Sequence, residues 1–293
     1  MKPAPFCYHA PATLDECLDL LARFGDEAAL LAGGQSLIPL MRFRLAQPAH
    51  VISIRGIGGS LSSICSTASG VAIGASVTYT AVQRSAEVLS ACPGLPKAIE
   101  LVATPAVRTR GTVCGNLSHA DPASELPAMA LIMGARLRLR SSTGERVIAA
   151  DDFFLGPYMT ARRSDEILTE VEFPNRPADE SVVVQEVTRL RGGFPLAGVA
   201  VALTRGDGNS IRSALIGCFG VHSKQIRVRE AEAVLKAQGY TAEGLAAAAD
   251  ALDGAIEPHS DPYASTAYRR SASRTLLKRA VDDAWHRRMI TSI

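Results

Sequence analysis

Two short stretches of the chain hold the residues best equipped to bind or react. The first runs Leu30-Leu31-Ala32-Gly33-Gly34-Gln35-Ser36-Leu37-Ile38-Pro39. Without Cβ atoms, Gly33 and Gly34 let the chain turn sharply and bring backbone N–H groups close to a ligand. A run of exposed N–H groups makes a concave anion site, and Ser36 adds a hydroxyl donor. The chemistry offered is electrostatic: the segment reads as strand, phosphate-cradling loop, then helical turn. It is neither G-x-G-x-x-G nor G-x-x-x-x-G-K-[ST], and an ordinary strand-to-helix turn uses glycines in the same way. The second stretch, Thr104 to Pro122, includes Arg108-Thr109-Arg110-Gly111-Thr112-Val113-Cys114-Gly115-Asn116 and Ser118-His119-Ala120-Asp121. It also packs small residues, hydroxyls and an amide ahead of an apolar run. Two nest-like loops suit the two phosphates of a dinucleotide.

Covalent chemistry finds less support. Ser36, Ser118 and Ser124 lack a surrounding G-x-S-x-G elbow. His119 and Asp121 are two residues apart, a spacing at which side chains do not face each other, so they read as loop-shaping or cofactor-contacting groups. Cys114 is either a thiol activated by neighbouring N–H groups or a small residue filling space. The cysteines stand at 7, 17, 65, 92, 114 and 218, with no C-x-x-C pair. That argues against a zinc site or an iron–sulfur cluster within this chain, and no catalytic residue and no metal ligand is expected.

Taken together, the two stretches resemble those of the FAD-carrying medium subunits of molybdenum hydroxylases. That family includes the flavin subunits of aerobic carbon monoxide dehydrogenase, quinoline oxidoreductase and bacterial xanthine dehydrogenases. Its A-G-G-x-S-L-x-P loop is matched by Ala32 to Pro39. Its R-x-x-x-T-[IV]-G-G-[NS]-L-x-x-A-D-P loop is matched by Arg108 to Pro122, except that Cys114 stands at the first of the paired glycines. The resemblance continues through Asp165-Glu166-Ile167-Leu168 and Arg189-Leu190-Arg191-Gly192-Gly193-Phe194. It implies FAD held by Leu31, Ala32, Gly33, Gly34, Gln35, Ser36, Leu37 and Ile38 in the first loop, and by Thr112, Val113, Cys114, Gly115 and Asn116 in the second. Glu125 is the match for a ribose-binding carboxylate. Val102 and Leu168 line the flavin, and Phe194 sits beside the ring where relatives often have Tyr. Gln185 falls where some relatives place a lysine.

The elements that must position these groups follow from periodicity. Apolar residues at 14, 17, 18, 21 and 24 make a helix over residues 12–24, capped by Thr13 with Glu16 completing a capping box and stopped by Gly25. Leu30 to Ala32 is a strand, Pro39 to Leu45 a brief helix and His50 to Ile54 the next strand. Gly56 to Ser69 reads as a boundary and hairpin, Gly70 to Ala75 as a strand, and Thr80 to Leu89 as one helix. Lys97 to Val102 is helical and delivers the second stretch. Leu126 to Gly134 is helical, Arg136 to Arg140 a strand with one solvated charged face, Asp151 to Phe154 a short helix, and Glu166 to Phe173 a strand. After the proline-bearing segment from Pro174 to Ser181 come three antiparallel strands, Ser181 to Arg189, Leu196 to Arg205 and Ser210 to Phe219. The turn Gly206-Asp207-Gly208-Asn209 joins the last two. Helices follow over Val228 to Gln238, Thr241 to Ala255 and Arg269 to Ile290.

The fold class is α+β. The resemblance makes it a two-subdomain FAD-binding fold of the vanillyl-alcohol-oxidase-like (PCMH) type, with a C-terminal three-stranded antiparallel sheet and helices. The expected division is residues 1–56, 57–176 and 177–293. A net charge of +2 and 5% aromatic residues give no argument for nucleic acid. The opening residues are too polar and proline-rich for a signal peptide, and no apolar run reaches membrane-span length, so the cytoplasm is the expected compartment.

The function implied is electron transfer. Substrate is hydroxylated at a molybdopterin cofactor on a large subunit, and electrons pass through 2Fe-2S clusters on a small subunit to FAD on this chain and on to an acceptor. The assembly expected is a dimer of heterotrimers. Two other classes stay open at this stage: a stand-alone FAD-dependent oxidase or dehydrogenase with its own substrate site, and a flavin-binding scaffold without turnover.

Overall fold

The computed structural model describes residues 2–286. The chain first builds a small parallel sheet. Strand β1 (Cys7–His9) leads to helix α1 (Leu14–Phe24), strand β2 (Ala28–Leu31), helix α2 (Leu37–Arg42) and strand β3 (His50–Ser53), with β3 between β1 and β2. α1 buries Cys17, Leu18 and Leu21. The Thr13 hydroxyl accepts from the Glu16 amide, while the Glu16 carboxylate reaches back to the Ala12 amide at 2.8 Å, one residue earlier than a standard box. α2 begins at Leu37 rather than at Pro39, so it starts directly from the glycine loop.

A five-stranded antiparallel sheet follows, built from β4 (Ile64–Ser66), β5 (Gly70–Gly74), β6 (Arg136–Ser141), β7 (Gly144–Ala149) and, after the short hairpin β8 (Phe154–Gly156) and β9 (Met159–Thr160), β10 (Ile167–Pro174). Its order is β4-β5-β10-β6-β7, so the last strand in sequence is the central one. The outward arginines of β6 are paired rather than merely solvated: Arg136 meets Glu172 at 2.9 Å and Arg138 meets Glu170 at 3.3 Å.

Between β5 and β6 lie six helices: α3 (Tyr79–Arg84), α4 (Ala86–Ala91), α5 (Gly94–Leu101), α6 (Pro105–Arg108), α7 (Val113–His119) and α8 (Glu125–Met133); α9 (Ala150–Phe153) follows β7. The single helix expected from Thr80 is two, because Thr78 caps the first and Ser85 accepts from the Val88 amide to cap a second. The second stretch is largely helical rather than a loop, since Thr112 caps α7 within it. All nine residues of α8 are buried, as the eight apolar ones after Glu125 require.

The C-terminal sheet has four strands, not the three expected. They are β11 (Glu180–Thr188), β12 (Pro195–Arg205), β13 (Ile211–Phe219) and β14 (Ile226–Arg227), in that order. Two residues carry no alternation signal, which is why β14 escaped the sequence. Helices α10 (Arg229–Gln238), α11 (Ala242–Ala255) and α12 (Thr266–His286) cover one face; the expected continuation of the last helix to Ile290 lies outside the described residues. On that face Val183, Val199, Val201, Ile216 and Cys218 join the helices in one core. On the other, Val182, Ala200 and Ala202 belong to the core of the N-terminal part.

Candidate functional site

The two stretches singled out by sequence meet. Gly33 lies against the backbone of Arg110 and Gly111, where a Cβ would collide with the Arg110 carbonyl oxygen. Gly34 turns the chain with φ +74°, a conformation that favours glycine. Behind the contact, the Tyr79 amide donates to the Gly111 carbonyl at 3.0 Å.

A cleft opens beside this contact, with about 1070 Å³ of atom-free space counted out to its open side. One wall is β2, the glycine loop and the start of α2. The other is Ala75, Tyr79, the Gly111–His119 region, Arg162, Ile167 and Leu168. Among the described residues no Asp or Glu lines it.

The first loop supplies donors. Among the described residues, the amides of Gly33, Gly34, Gln35, Ser36 and Leu37 have no protein acceptor. Ser36 sits at the N-cap of α2 without a side-chain cap bond, which leaves its hydroxyl uncommitted. The Gln35 amide group braces the turn by donating to the Gly33 carbonyl at 3.2 Å. The second stretch supplies fewer donors than a nest would. Thr112 Oγ1 accepts from the Gly115 amide at 3.1 Å, the Thr112 carbonyl from Asn116 at 3.1 Å, and the Val77 carbonyl from Val113 at 3.4 Å. Among these residues the Thr112 and Cys114 amides are left, at the cap and first turn of α7. Unpartnered amides facing a carboxylate-free cleft suit a diphosphate. The apolar surfaces of Leu31, Ile54, Ile167 and Leu168 suit a planar ring, so the residues present fit FAD.

Cys114 itself is inert. Its thiol is buried, its Sγ lies 3.5 Å from the Ile73 carbonyl oxygen, and burial raises its pKa further above the ordinary thiol range. The activated-thiol reading therefore fails. His119 lines the cleft with its ring 5.1 Å from that of Tyr158, and burial lowers its pKa. Asp121 Oδ1 accepts from the Ala123 amide at 2.9 Å, a turn-forming bond rather than a partnership with His119.

Asn116 Oδ1 accepts from the Ser124 hydroxyl at 2.8 Å, and the residue after Ser124 is the first of a pair of acids. Glu125, 5% exposed at the start of α8, has no cation partner among the described residues. Burial pushes its carboxyl up to about 7, and the Asp121 charge acts in the same direction. Glu186 on β11 is pushed up to about 8 by burial and by Glu125. One of its carboxyl oxygens is buried without a hydrogen-bond partner. Gln185, the residue aligned by sequence with a lysine, faces the other way and donates to Asp283 Oδ2 on α12 at 2.6 Å. Strand alternation thus makes Glu186 the residue that β11 turns toward the N-terminal part.

Of the residues expected at the cofactor, Leu31, Ala32, Gly33, Gly34, Gln35, Ser36, Leu37, Thr112, Cys114, Gly115, Asn116 and Leu168 all line the cleft. Ile38 is exposed on α2 beside it, and Val113 is buried behind it. Val102 is buried at the end of α5. Phe194 is 78% exposed on the turn between β11 and β12. Its neighbour Gly192 packs over Ala103, beside Val102 and apart from the cleft. Sequence reasoning missed Tyr79 and Arg162. An aromatic at a helix start and one arginine among many carry no signal by type alone.

Comparison with known proteins gives the family. Residues 4–176 match the model of the FAD binding domain in molybdopterin dehydrogenase, and residues 183–284 that of the CO dehydrogenase flavoprotein C-terminal domain. The chain is 35% identical to the carbon monoxide dehydrogenase medium chain of Hydrogenophaga pseudoflava, over 98% of this chain and 99% of that one. It is 35% identical to the nicotine 6-hydroxylase medium subunit of Paenarthrobacter nicotinovorans, over 97% and 99%. The solved structure of H. pseudoflava carbon monoxide dehydrogenase lacking the Mo-pyranopterin moiety superposes with a TM-score of 0.93, covering 97% of this chain and 99% of that chain at 36% identity. The chain therefore belongs to the FAD-binding medium subunits of the molybdenum hydroxylase family, the flavoprotein subunits of multisubunit molybdenum-dependent dehydrogenases.

Proposed function

We propose that this chain is an electron relay. It holds FAD non-covalently in the cleft, receives electrons from 2Fe-2S clusters on a small partner subunit, and passes them to an external acceptor. The observation that carries the reading is the run of five unpartnered amides, Gly33 to Leu37, facing a cleft without carboxylates. FAD when bound supplies the one- and two-electron chemistry. The chain's own residues cradle its diphosphate on the glycine loop and the start of α7, and cover its rings with Leu31, Ile54 and Leu168. Glu125, matched by the resemblance to a ribose-binding carboxylate, is buried and is not part of the cleft lining, so no ribose contact is given to it.

No cysteine pair spaced for a cluster is present in the sequence, and among the described residues no group of His, Cys, Asp and Glu is placed to hold a metal. The names of the relatives, a medium chain and a medium subunit, support clusters and molybdopterin carried on other chains, in a dimer of heterotrimers. No described helix is long and apolar enough to cross a membrane. The working division is residues 1–56 and 57–176 as two FAD-binding subdomains of the vanillyl-alcohol-oxidase-like type, and 177–293 as the C-terminal domain. The relatives act, by their names, on carbon monoxide and nicotine, so substrate choice is assigned to the large subunit.

The test is mild purification followed by gel filtration at micromolar concentration. The expected result is a yellow complex containing an iron–sulfur chain and a molybdopterin chain, with flavin released into the supernatant by acid. A monomer that keeps its FAD and oxidises a small molecule unaided would overturn the relay in favour of a stand-alone enzyme.

A further inference from the structure

Among the described residues, Arg162 is the one arginine that lines the cleft. It comes from the loop between β9 and β10, and its Nη1 donates to the carbonyl oxygens of Arg163 at 3.0 Å and Glu166 at 2.7 Å. These bonds fix the guanidinium in place. Its neighbours use up the nearby acids: Arg146 and Arg163 take Glu166, and Arg163 also reaches Asp165. Among the described residues no carboxylate is in ion-pair contact with Arg162. Its Nε and Nη2 have no protein acceptor, and neither is among the buried unpartnered atoms. A half-buried guanidinium with free donors, aimed into a cleft, is an incomplete contact.

Its position says what completes it. Ser164, two residues on, lies beside Gly25, and Asp26 is among the charges that act on Arg162. Both residues precede β2, so Arg162 stands at the start of that strand, while the free amides stand past its end. A strand rises about 3.3 Å per residue, which puts Ala28 and Leu31 about 10 Å apart. The diphosphate is served at the far end. Near Arg162 the walls are aliphatic: Ala28, Ala29, Ile167 and Leu168. Aliphatic walls flanking a planar, cationic donor group suit a heteroaromatic ring, which the walls cover while the guanidinium donates to acceptor atoms at its edge or stacks on it.

We propose that Arg162 is a cofactor-binding residue that holds the ring at the β2-start end of the cleft. This rests on the FAD reading above. FAD carries two such rings, the adenine and the isoalloxazine, and one of them lies at that end when the diphosphate is on the glycine loop.

The experiment strips FAD from the full-length protein and titrates wild type, Arg162→Leu and Arg162→Lys with FAD, ADP and FMN, recording flavin spectra and the melting temperature of each apoprotein. The leucine variant is expected to bind FAD about tenfold or more weakly, the loss of one charge-assisted contact, with its apo melting temperature unchanged, and the lysine variant to recover part of the affinity. If ADP binding falls in step while FMN binding does not, the ring is adenine. If FMN binding falls, ADP binding holds and the flavin band shifts, the ring is isoalloxazine. Unchanged affinity for all three probes overturns the proposal. So does an affinity loss that appears only with a lowered apo melting temperature and is repaired together with it by lysine, because that assigns Arg162 to loop packing. Wild type that takes up no FAD would defeat the FAD reading itself.

Discussion

Gly33 and Gly34 are adjacent but irreplaceable for different reasons. At Gly33 a side chain would enter the backbone of the Arg110–Gly111 segment, which cannot swing aside as a side chain can. Gly33→Ala is therefore expected to part the two walls of the cleft, lowering both the melting temperature and the flavin content. At Gly34 the obstacle is φ +74°, which costs an L-residue roughly 1–2 kcal/mol, and a bulky side chain would also stand among the free amides. Gly34→Val is expected to fold and to purify without FAD. Flavin-to-protein ratio and apoprotein melting separate the two outcomes, and a Gly34→Val protein with full flavin would remove the first loop from the site. The glycine pair was legible in sequence because glycine has few roles. Arg162 was not, because its role depends on which acids its neighbours take. Cys114 shows the opposite case: its type suggested reactivity, and burial under Ile73 cancels it.

Glu125 at the start of α8 and Glu186 on β11 are two buried carboxyl groups close enough for one charge to act on the other, and among the described residues neither has an ion-pair partner. An unfolded Glu ionises near pH ~4.3, whereas folding raises Glu125 to about 7 and Glu186 to about 8. A raised acid favours the fold fully below the unfolded pKa, and that contribution is lost as pH climbs through the folded values. Stability due to this pair should fall between about pH 4 and 8. Glu186→Gln, which cannot ionise, should flatten the profile, so that its melting temperature gains on wild type as pH rises from 6 to 9. Parallel profiles for the two proteins would show that the pair does not titrate in this range. Elements with a full period of apolar residues, such as α1 and β12, were legible from sequence. The break between α3 and α4 was not, because it depends on Ser85 capping a new helix rather than on any change in hydrophobic pattern. α7 was hidden because Gly115 and Asn116 are loop-prone by type and only the Thr112 cap makes them helical. The orientation of Gln185 was out of reach for the same kind of reason: strand alternation shows that neighbours face opposite ways, but not which one faces the N-terminal part.

At the scale of the whole molecule, the α+β class and the association of the two binding stretches could be read in advance, while the fourth strand of the C-terminal sheet could not. The sheet formed by β11 to β14 has one face in the helical core and the other in the core of the N-terminal part. The backbone of α5 at Gly94 presses directly on Val182 of β11, leaving no room for even a methyl group. A sheet shared in this way cannot lose one core without exposing the other. Although two separate family models describe the chain, its heat-induced unfolding should be a single cooperative event. Scanning calorimetry of the flavin-free chain should give one peak whose calorimetric and van't Hoff enthalpies agree; two resolved peaks would show the halves melting independently. Adding the flavin nucleotide should then move the whole peak upward, so that occupancy of the N-terminal cleft governs how long the C-terminal helices survive heating.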